Sequence, residues 1–564
     1  MNILGIGNAA DSGVALFQDG RLVLAVNEER LSRTKLDGGY PHRSLTWVLN
    51  QAKLTPNDVD LVCYGFTNGM PSGDFSAALE ERVVEYGSDP KTIAVIRNRL
   101  DKEREVDSAQ LASFDRDTIH RLGTRPQYRC HHHEAHRAAA YMSSPFREAL
   151  VVTCDGRGDC KSFTVSAVTP KGVEERTCGF SWESIGYFYG RITQLCGFVP
   201  NRHEGKITGL AGHGDPKRAM ALMEKMITVE NGRFKSFPGD YYVPFFTNYS
   251  DVLLQEAGGF SREDLAAAAQ AHLERCVCQV IAHHLRATGL RQICLAGGVF
   301  SNVKLNQRIR ELAGVDGVFV YPNMGDGGIC AGSVYDYLLR EKGVLSSPLE
   351  TLYLGPDLDA EALATLLGPH GCEISRPADL VAAATDRMRQ YKSVGLVQGR
   401  CEFGPRALGN RSIVGFCDDV AFCDSINERL HRSEFMPFAP VTTAELASRC
   451  FAGYRADHFS AQHMTMTYNV TPEFAKNAPA VVHVDGTARP QVVTREGNPV
   501  LHALITRAHQ QYGALCLLNT SFNLHEEPIL GSAEDVAATF LRGAVDYLLA
   551  PPYLITAPLH KQAR

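Results

Sequence analysis

The first seventy residues alternate short apolar runs with polar turns. NILGIG, GVALF and RLVLAV read as β-strands, SLTWVLNQAKL carries apolar residues at helical spacing, and VDLVCYGF returns to a strand. Strands alternating with helices predict an α/β domain. A second opening of the same kind begins at residue 149, where ALVVTCDGRGD is followed by KSFTVSAV. Apolar strand, acidic residue with glycine, then hairpin occur in both blocks, which predicts two halves of a duplicated fold.

SREDLAAAAQAHLERCVCQVIAHHLRATGL has a serine start, strong helix formers and a closing glycine, and it runs into the strand QICLAGG. Helix, strand and glycine pair in that order suit a nucleotide site. Gly, Pro and Ser collect in GVLSSPLETLYLGPDLD, which sets a boundary there. Beyond it come the helices EALATLLG and LVAAATDRMRQYK and the strand SVGLVQG, the start of a second α/β domain.

Composition narrows the function classes without naming one. The 564 residues exceed one ordinary core, and 44% hydrophobic with 21% charged residues is globular. A formal net charge of -6, with no basic block interleaved with aromatics, argues against nucleic acid as a partner. No run of about eighteen apolar residues and no basic, apolar leader occurs, so a cytoplasmic protein without a membrane partner is expected. The 16 Cys are scattered without a Cys-x-x-Cys framework, and Cys276 and Cys278 read as buried small hydrophobes on a helix.

The candidate chemistry starts at HHHEAH. His132 and His136 stand four apart and would project from one helical face toward a shared ion. Asp155 in DGRGD and Asp326 in NMGDGGICAG are loop carboxylates able to add oxygen ligands. Two imidazoles with carboxylates suit Fe(II), Mn(II) or Zn(II). The quartet alone is equally compatible with a surface histidine run or a helix cap. Gly297 and Gly298 would let the backbone approach a phosphate or ribose, although a glycine pair also reads as a plain turn. Arg400, Arg406 and Arg411 concentrate in GRCEFGPRALGNRSIVG, where guanidinium forks could match phosphate oxygens or form surface ion pairs.

HHHEAH, AAAYMSSPF, EALVVTCDGRGD, IGYFYGRITQLCGF, EGKITGLAGHG and LAGGVFSNVKLN follow one another through the first domain. With family-like words in the second domain, the match spans nearly the whole chain. Together they resemble the O-carbamoyltransferase family of antibiotic and nodulation-factor biosynthesis. The resemblance implies an actin-like, sugar-kinase-like (ASKHA) duplicated ATPase fold over 1–345, related to the tRNA threonylcarbamoyl transferases. A linker over 346–357 and a YrdC-like α/β domain over 358–564 would follow. It further implies an ATP-dependent enzyme converting carbamoyl phosphate through carbamate to carbamoyl adenylate. The carbamoyl group would pass to a hydroxyl, or an amine, of a small natural product or sugar.

By the same resemblance, His132, His136, Asp155 and Asp326 would hold a divalent metal, with Fe(II) favoured, and Mg(II) would accompany ATP. His132, His136, Asp326 and Lys35 form the implied catalytic group. Asp11, Ser12, Lys35, Gly297, Gly298, Asn302 and Gly325 would line the nucleotide, with Gly327 and Gly328 also flanking Asp326. The EER segment before Lys35 would otherwise read as a solvated strand end. Arg400, Arg406, Arg411, Arg432, Arg489, Asn519, Ser521 and Asn523 would bind the phosphorylated donor. A homodimer is the implied assembly.

Two departures from the family pattern stand out. Ala10 occupies a position where relatives have histidine, and Leu430 or His431 and Met436 replace a lysine and an arginine, with Arg432 a possible substitute. Acceptor identity and the base that takes its proton are not legible. GMPSGDFSAALEERVVEYGSD and FPGDYYVPFFTNYSD read as lids or partner surfaces. Threonylcarbamoyl transfer to tRNA and a non-catalytic nucleotide-binding module are the alternative functions.

Overall fold

The computed structural model describes residues 1–67, 73–87, 89–243, 249–390, 392–431 and 438–558. Arg432 and Met436, and parts of the two stretches expected as lids, lie outside them. By backbone contacts the chain forms two compact units. The first is Met1–Val23 with Gly38–Leu349, and the second is Leu24–Asp37 with Glu350–Arg564. No described helix is long and apolar enough to cross a membrane.

Two five-stranded sheets organise the first unit. One contains β1 (Asn2–Gly7), β2 (Gly13–Gln18), β4 (Leu61–Tyr64), β5 (Gln127–Arg129) and β3 (Arg21–Asn27), whose residues from Leu24 onward are counted with the second unit, in the order β3-β2-β1-β4-β5. The other contains β6 (Ala149–Gly158), β7 (Lys161–Thr169), β8 (Gly172–Phe180), β9 (Gln292–Ala296) and β10 (Gly317–Val320) in the order β8-β7-β6-β9-β10. β1 runs antiparallel to β2 and parallel to β4, just as β6 runs antiparallel to β7 and parallel to β9. The outer strands β5 and β10 are each parallel to their neighbours. Order and direction thus repeat between the two blocks that share a sequence pattern.

Four helices matter for the site: α1 (Pro90–Leu122), α2 (His132–Met142), α3 (Arg262–Thr288) and α4 (Ile329–Glu341). The signals read for α3 are present, with Ser261 Oγ accepting from the Asp264 amide at 3.1 Å and Gly289 closing the helix at φ +71°. α2 follows the strands of the first sheet yet packs on β6 and β9 of the second. α4 follows the second sheet yet packs on β1, β2 and β4 of the first. The two helices also pack against each other. Glycines make this possible: a Cβ on Gly332 would sit 2.4 Å from the Ala135 carbonyl, and one on Gly5 would overlap the Cys330 carbonyl.

The second unit is built on an eight-stranded mixed sheet. Its strands are β11 (Glu373–Ser375), β12 (Val394–Val397), β13 (Arg411–Gly415), β14 (Ala439–Thr443), β15 (Gln491–Val493), β16 (Leu517–Ser521), β17 (Tyr547–Ala550) and β18 (Tyr553–Thr556). The order is β11-β18-β17-β12-β13-β16-β14-β15. Leu396, Val414, Val441, Leu517 and Leu549 meet Leu501, Leu504 and Ile505 in one core. A short strand over Tyr353–Asp357 occupies the end of the segment expected as a linker. Glu28, Glu29 and Arg30 are buried, unlike a solvated strand end, and Arg30 donates to the Gly404 carbonyl. Lys35, in the same segment of the second unit, is exposed.

Candidate metal centre

Two imidazoles enter the first unit's site from the first turns of α2. That helix begins where it does because three carboxylate contacts fix its end: Asp159 Oδ2 accepts from the His132 amide at 2.9 Å, both Asp159 oxygens accept from the Thr67 amide at 3.1 Å, and Glu134 Oε2 reaches back to the His131 amide at 3.0 Å. Four residues separate His132 from His136, so both rings project from one side, with centroids 4.6 Å apart. Asp155 leaves β6 at the register shift between Cys154 and Gly158, and Asp326 opens the tight turn into α4.

These four groups converge. His132 Nε2 lies 3.7 Å from both Asp155 Oδ2 and Asp326 Oδ1, and His136 Nε2 lies 3.2 and 3.8 Å from the same two oxygens. All four ligand atoms fall within 4.8 Å of one another. Donors about 2.1 Å from one ion stand about 3 Å apart in octahedral and 3.4 Å apart in tetrahedral coordination, so the set closes on a divalent cation with small adjustments. Both ring nitrogens of the fully buried His132 lack a hydrogen-bond partner among the described residues. An imidazole held this way costs desolvation with no return unless something binds it.

Burial alone would depress His136, but hydrogen bonds to Asp155 and Asp326 outweigh it and push the ring up to about 9. Burial would likewise raise Asp155, and the adjacent His132 and His136 imidazoles hold it well below the usual carboxylate range. Without a cation the carboxylates therefore hold a proton on His136, which an ion would displace. His133 faces the other way: burial keeps it well below its ordinary value, and its Nδ1 meets Thr153 Oγ1 at 2.8 Å. A Cβ on Gly158 would come within 2.1 Å of the His132 ring, so only glycine leaves room for that ligand.

The glycine pair belongs to the same site. Gly297 adopts φ +101°, and a Cβ there would lie 2.2 Å from the Cys154 carbonyl; one on Gly298 would lie 3.0 Å from Asp155 Oδ1. Gly325 faces open space beside Asp326. Asp11 and Ser12 sit on the turn between β1 and β2, Asp11 with φ +58° and Ser12 buried. Asn302 is engaged internally: its Oδ1 accepts from the Leu305 amide at 3.1 Å and its Nδ2 donates to Gln270 Oε1 at 2.8 Å.

In the second unit, the loop carrying the arginines winds around a residue the sequence reading passed over. Glu402 Oε1 accepts from the amides of Leu408, Asn410 and Arg411 at 2.7, 2.8 and 3.2 Å. Arg411 is fully buried, and its terminal nitrogens donate to the carbonyls of Gln398, Gly399, Asn410, Pro356 and Gly531. Asn519 donates to Ala407 O and Gln491 Oε1, and Asn523 donates to the carbonyls of Leu524 and Glu527. Arg400, Arg406, Arg489 and Ser521 are half-buried. An acid two residues before a Gly-Pro turn was the available signal for Glu402, and the second acid of DGRGD was the signal for Asp159.

Comparison with known proteins identifies the family. Residues 2–335 match the family described as carbamoyltransferase N-terminus, and residues 385–557 match carbamoyltransferase C-terminus. The chain is 32% identical to nodulation protein NolNO of Sinorhizobium fredii, over 97% of this chain and 78% of that protein. It is 28% identical to nodulation protein U of Rhizobium tropici, over 99% and 96% of the two chains. Among solved structures, full-length HypF in its phosphate- and nucleotide-bound form aligns at 16% identity and a TM-score of 0.32, over 61% of this chain and 56% of that one. With both parts of the family represented along one polypeptide, the chain belongs to the carbamoyltransferases and is an enzyme of that class.

Proposed function

We propose that the enzyme is ATP-dependent and transfers a carbamoyl group from carbamoyl phosphate to a hydroxyl of a small-molecule natural product or sugar. The observation that carries this reading is the convergence of His132, His136, Asp155 and Asp326 beside the Gly297–Gly298 turn. Carbamoyl phosphate loses phosphate to water and leaves carbamate. A carbamate oxygen attacks the α-phosphorus of ATP, expelling pyrophosphate and forming carbamoyl adenylate. The acceptor hydroxyl then attacks the carbamoyl carbon and expels AMP.

The four-residue set would hold a divalent ion, Fe(II) by family resemblance with Mn(II) or Zn(II) also suited to its donors, and that ion supplies Lewis acidity toward the carbamoyl oxygen. The chain's own groups do the remaining work. Asp155 and Asp326 bring two negative charges, which with neutral imidazoles balance a dication. Gly297 and Gly298 leave the strand end free of side chains where a nucleotide must approach. Asp11 and Ser12 would present the β1–β2 turn to its phosphates. In the second unit, proposed as YrdC-like, Arg406 and Arg489 are half-buried and suited to bidentate contact with the donor phosphate. Arg411 and Glu402 would hold the loop in shape for them.

Incubating the protein with ATP, carbamoyl phosphate and Fe(II) tests the scheme. AMP, pyrophosphate and phosphate should appear together, and only when all three are supplied. Release of ADP, or no nucleotide turnover across Fe(II), Mn(II) and Zn(II), would sink it.

A further inference from the structure

The second unit holds a pair of thiols that the transfer reaction does not use. β13 and β16 are antiparallel neighbours whose last pair is Gly415 with Leu518. Continuing that register two residues further sets Cys417 opposite Cys516. Their sulfurs lie 3.4 Å apart. Directly opposed residues in an antiparallel pair have Cα atoms about 4.5–5.5 Å apart, inside the span that a disulfide bridges. Bond formation therefore needs the two sulfurs to approach by roughly 1.4 Å, a motion within reach of side-chain rotation.

The pair also has an entrance. Cys417 and Cys516 line a crevice of about 30 Å³. Arg389, also lining it, donates to Asp418 Oδ2 at 2.8 Å, with its guanidinium over the rings of Phe416 and Tyr512. A charged rim and that volume admit molecules the size of water or hydrogen peroxide and exclude a peptide disulfide. Burial, with the neighbouring Cys417, pushes the Cys516 thiol well above its ordinary value, which slows its reaction as a nucleophile.

We propose that Cys417 and Cys516 form a peroxide-responsive dithiol that closes to a disulfide. One thiolate attacks a peroxide oxygen and becomes a sulfenic acid, releasing one water. The other attacks the sulfenic sulfur and releases a second water. Two thiols and one peroxide thus give one S–S bond and two waters. The bond would staple strands whose other ends carry Arg411 and Ser521, and it would close a chain loop long enough to restrain the unfolded state strongly.

The test uses the full-length protein, treated in parallel with hydrogen peroxide and with oxidised glutathione, then mapped by mass spectrometry without reduction. Peroxide should yield one linked peptide pair containing Cys417 and Cys516, about 2 Da lighter than the two thiols and reversed by dithiothreitol. The thermal midpoint should rise by several degrees, and Cys417→Ser should lose both the link and the rise. Oxidised glutathione should leave both thiols free. Recovery of Cys417 and Cys516 as separate sulfinic acids, as unmodified thiols after peroxide, or linked to other cysteines would overturn the proposal. So would a glutathione adduct on either. Peptide mapping of the wild-type chain decides the matter even if the serine variant folds poorly.

Discussion

The metal centre of the first unit and the arginine loop of the second unit are both dense in buried polar side chains, yet they dispose of them in opposite ways. Around His132, Nε2 stands 3.7 Å from two carboxylates, and neither ring nitrogen has a hydrogen-bond partner among the described residues. Around Arg411, five main-chain carbonyls receive the terminal guanidinium nitrogens and Glu402 Oε1 receives three amides in return, with only Arg411 Nε and Glu402 Oε2 of these two side chains left without a partner among the described residues. Buried polar atoms left unpaired mark a place prepared for something else, whereas buried polar atoms that answer one another mark architecture. The same distinction separates Arg411 from the half-buried Arg406 five residues earlier in the same glycine-rich stretch.

The comparison can be broken most severely at the ligands. His136→Ala should reduce bound metal and carbamoyl transfer to background while circular dichroism stays native, since the ring meets carboxylates rather than core. Retained metal by elemental analysis would place the ion elsewhere. Next, Arg411→Ala should cost about 3 kcal/mol or more in urea unfolding, because several buried carbonyls lose their donor. Arg406→Ala should stay within about 0.5 kcal/mol and instead raise KM for carbamoyl phosphate. Equal destabilisation by both would erase the contrast drawn between them.

Smaller effects sharpen the same point. Gly158→Ala should press on the His132 ring and weaken metal affinity about 10- to 100-fold, measured by competition with a chelator. His463 supplies the counter-example of a half-buried imidazole with no carboxylate among the described residues to lift it. Burial, opposed only by a hydrogen bond to the Phe459 carbonyl, pushes it down to about 4. The unfolded chain takes up a proton near pH 6.5 that the native ring refuses until about pH 4, so native stability falls as pH drops through that window. His463→Gln should flatten this part of the urea midpoint against pH.

Much of this was legible in the residue order, for identifiable reasons. Strands and the helix over 262–288 declare themselves through local periodicity and caps, and the His132–His136 spacing is a local fact as well. Asp155 and Asp326 are not local: their approach depends on which strands become neighbours, and the family likeness supplied what periodicity did not. The 33-residue α1 escaped notice because its inward face carries Glu103, Asp107 and Thr118 among Ile96, Leu100 and Phe114. Arg99 and Arg157 neutralise the two acids, at 3.1 and 2.8 Å, and no apolar stripe survives for the eye to follow. The internal partners of Arg411 and Asn302 were equally hidden, since residue type does not say which carbonyls or side chains a donor will meet.

The crossing of α2 and α4 onto opposite sheets has a consequence for how such a chain can be divided. Cut in the loop before residue 149, each fragment would retain a sheet whose covering helix had departed with the other piece, leaving an oily face open to water. Neither fragment should fold by itself, and mixing the two should restore them jointly. The imidazoles would then come from one polypeptide and both carboxylates from the other, so that capture of a cation would report reassembly.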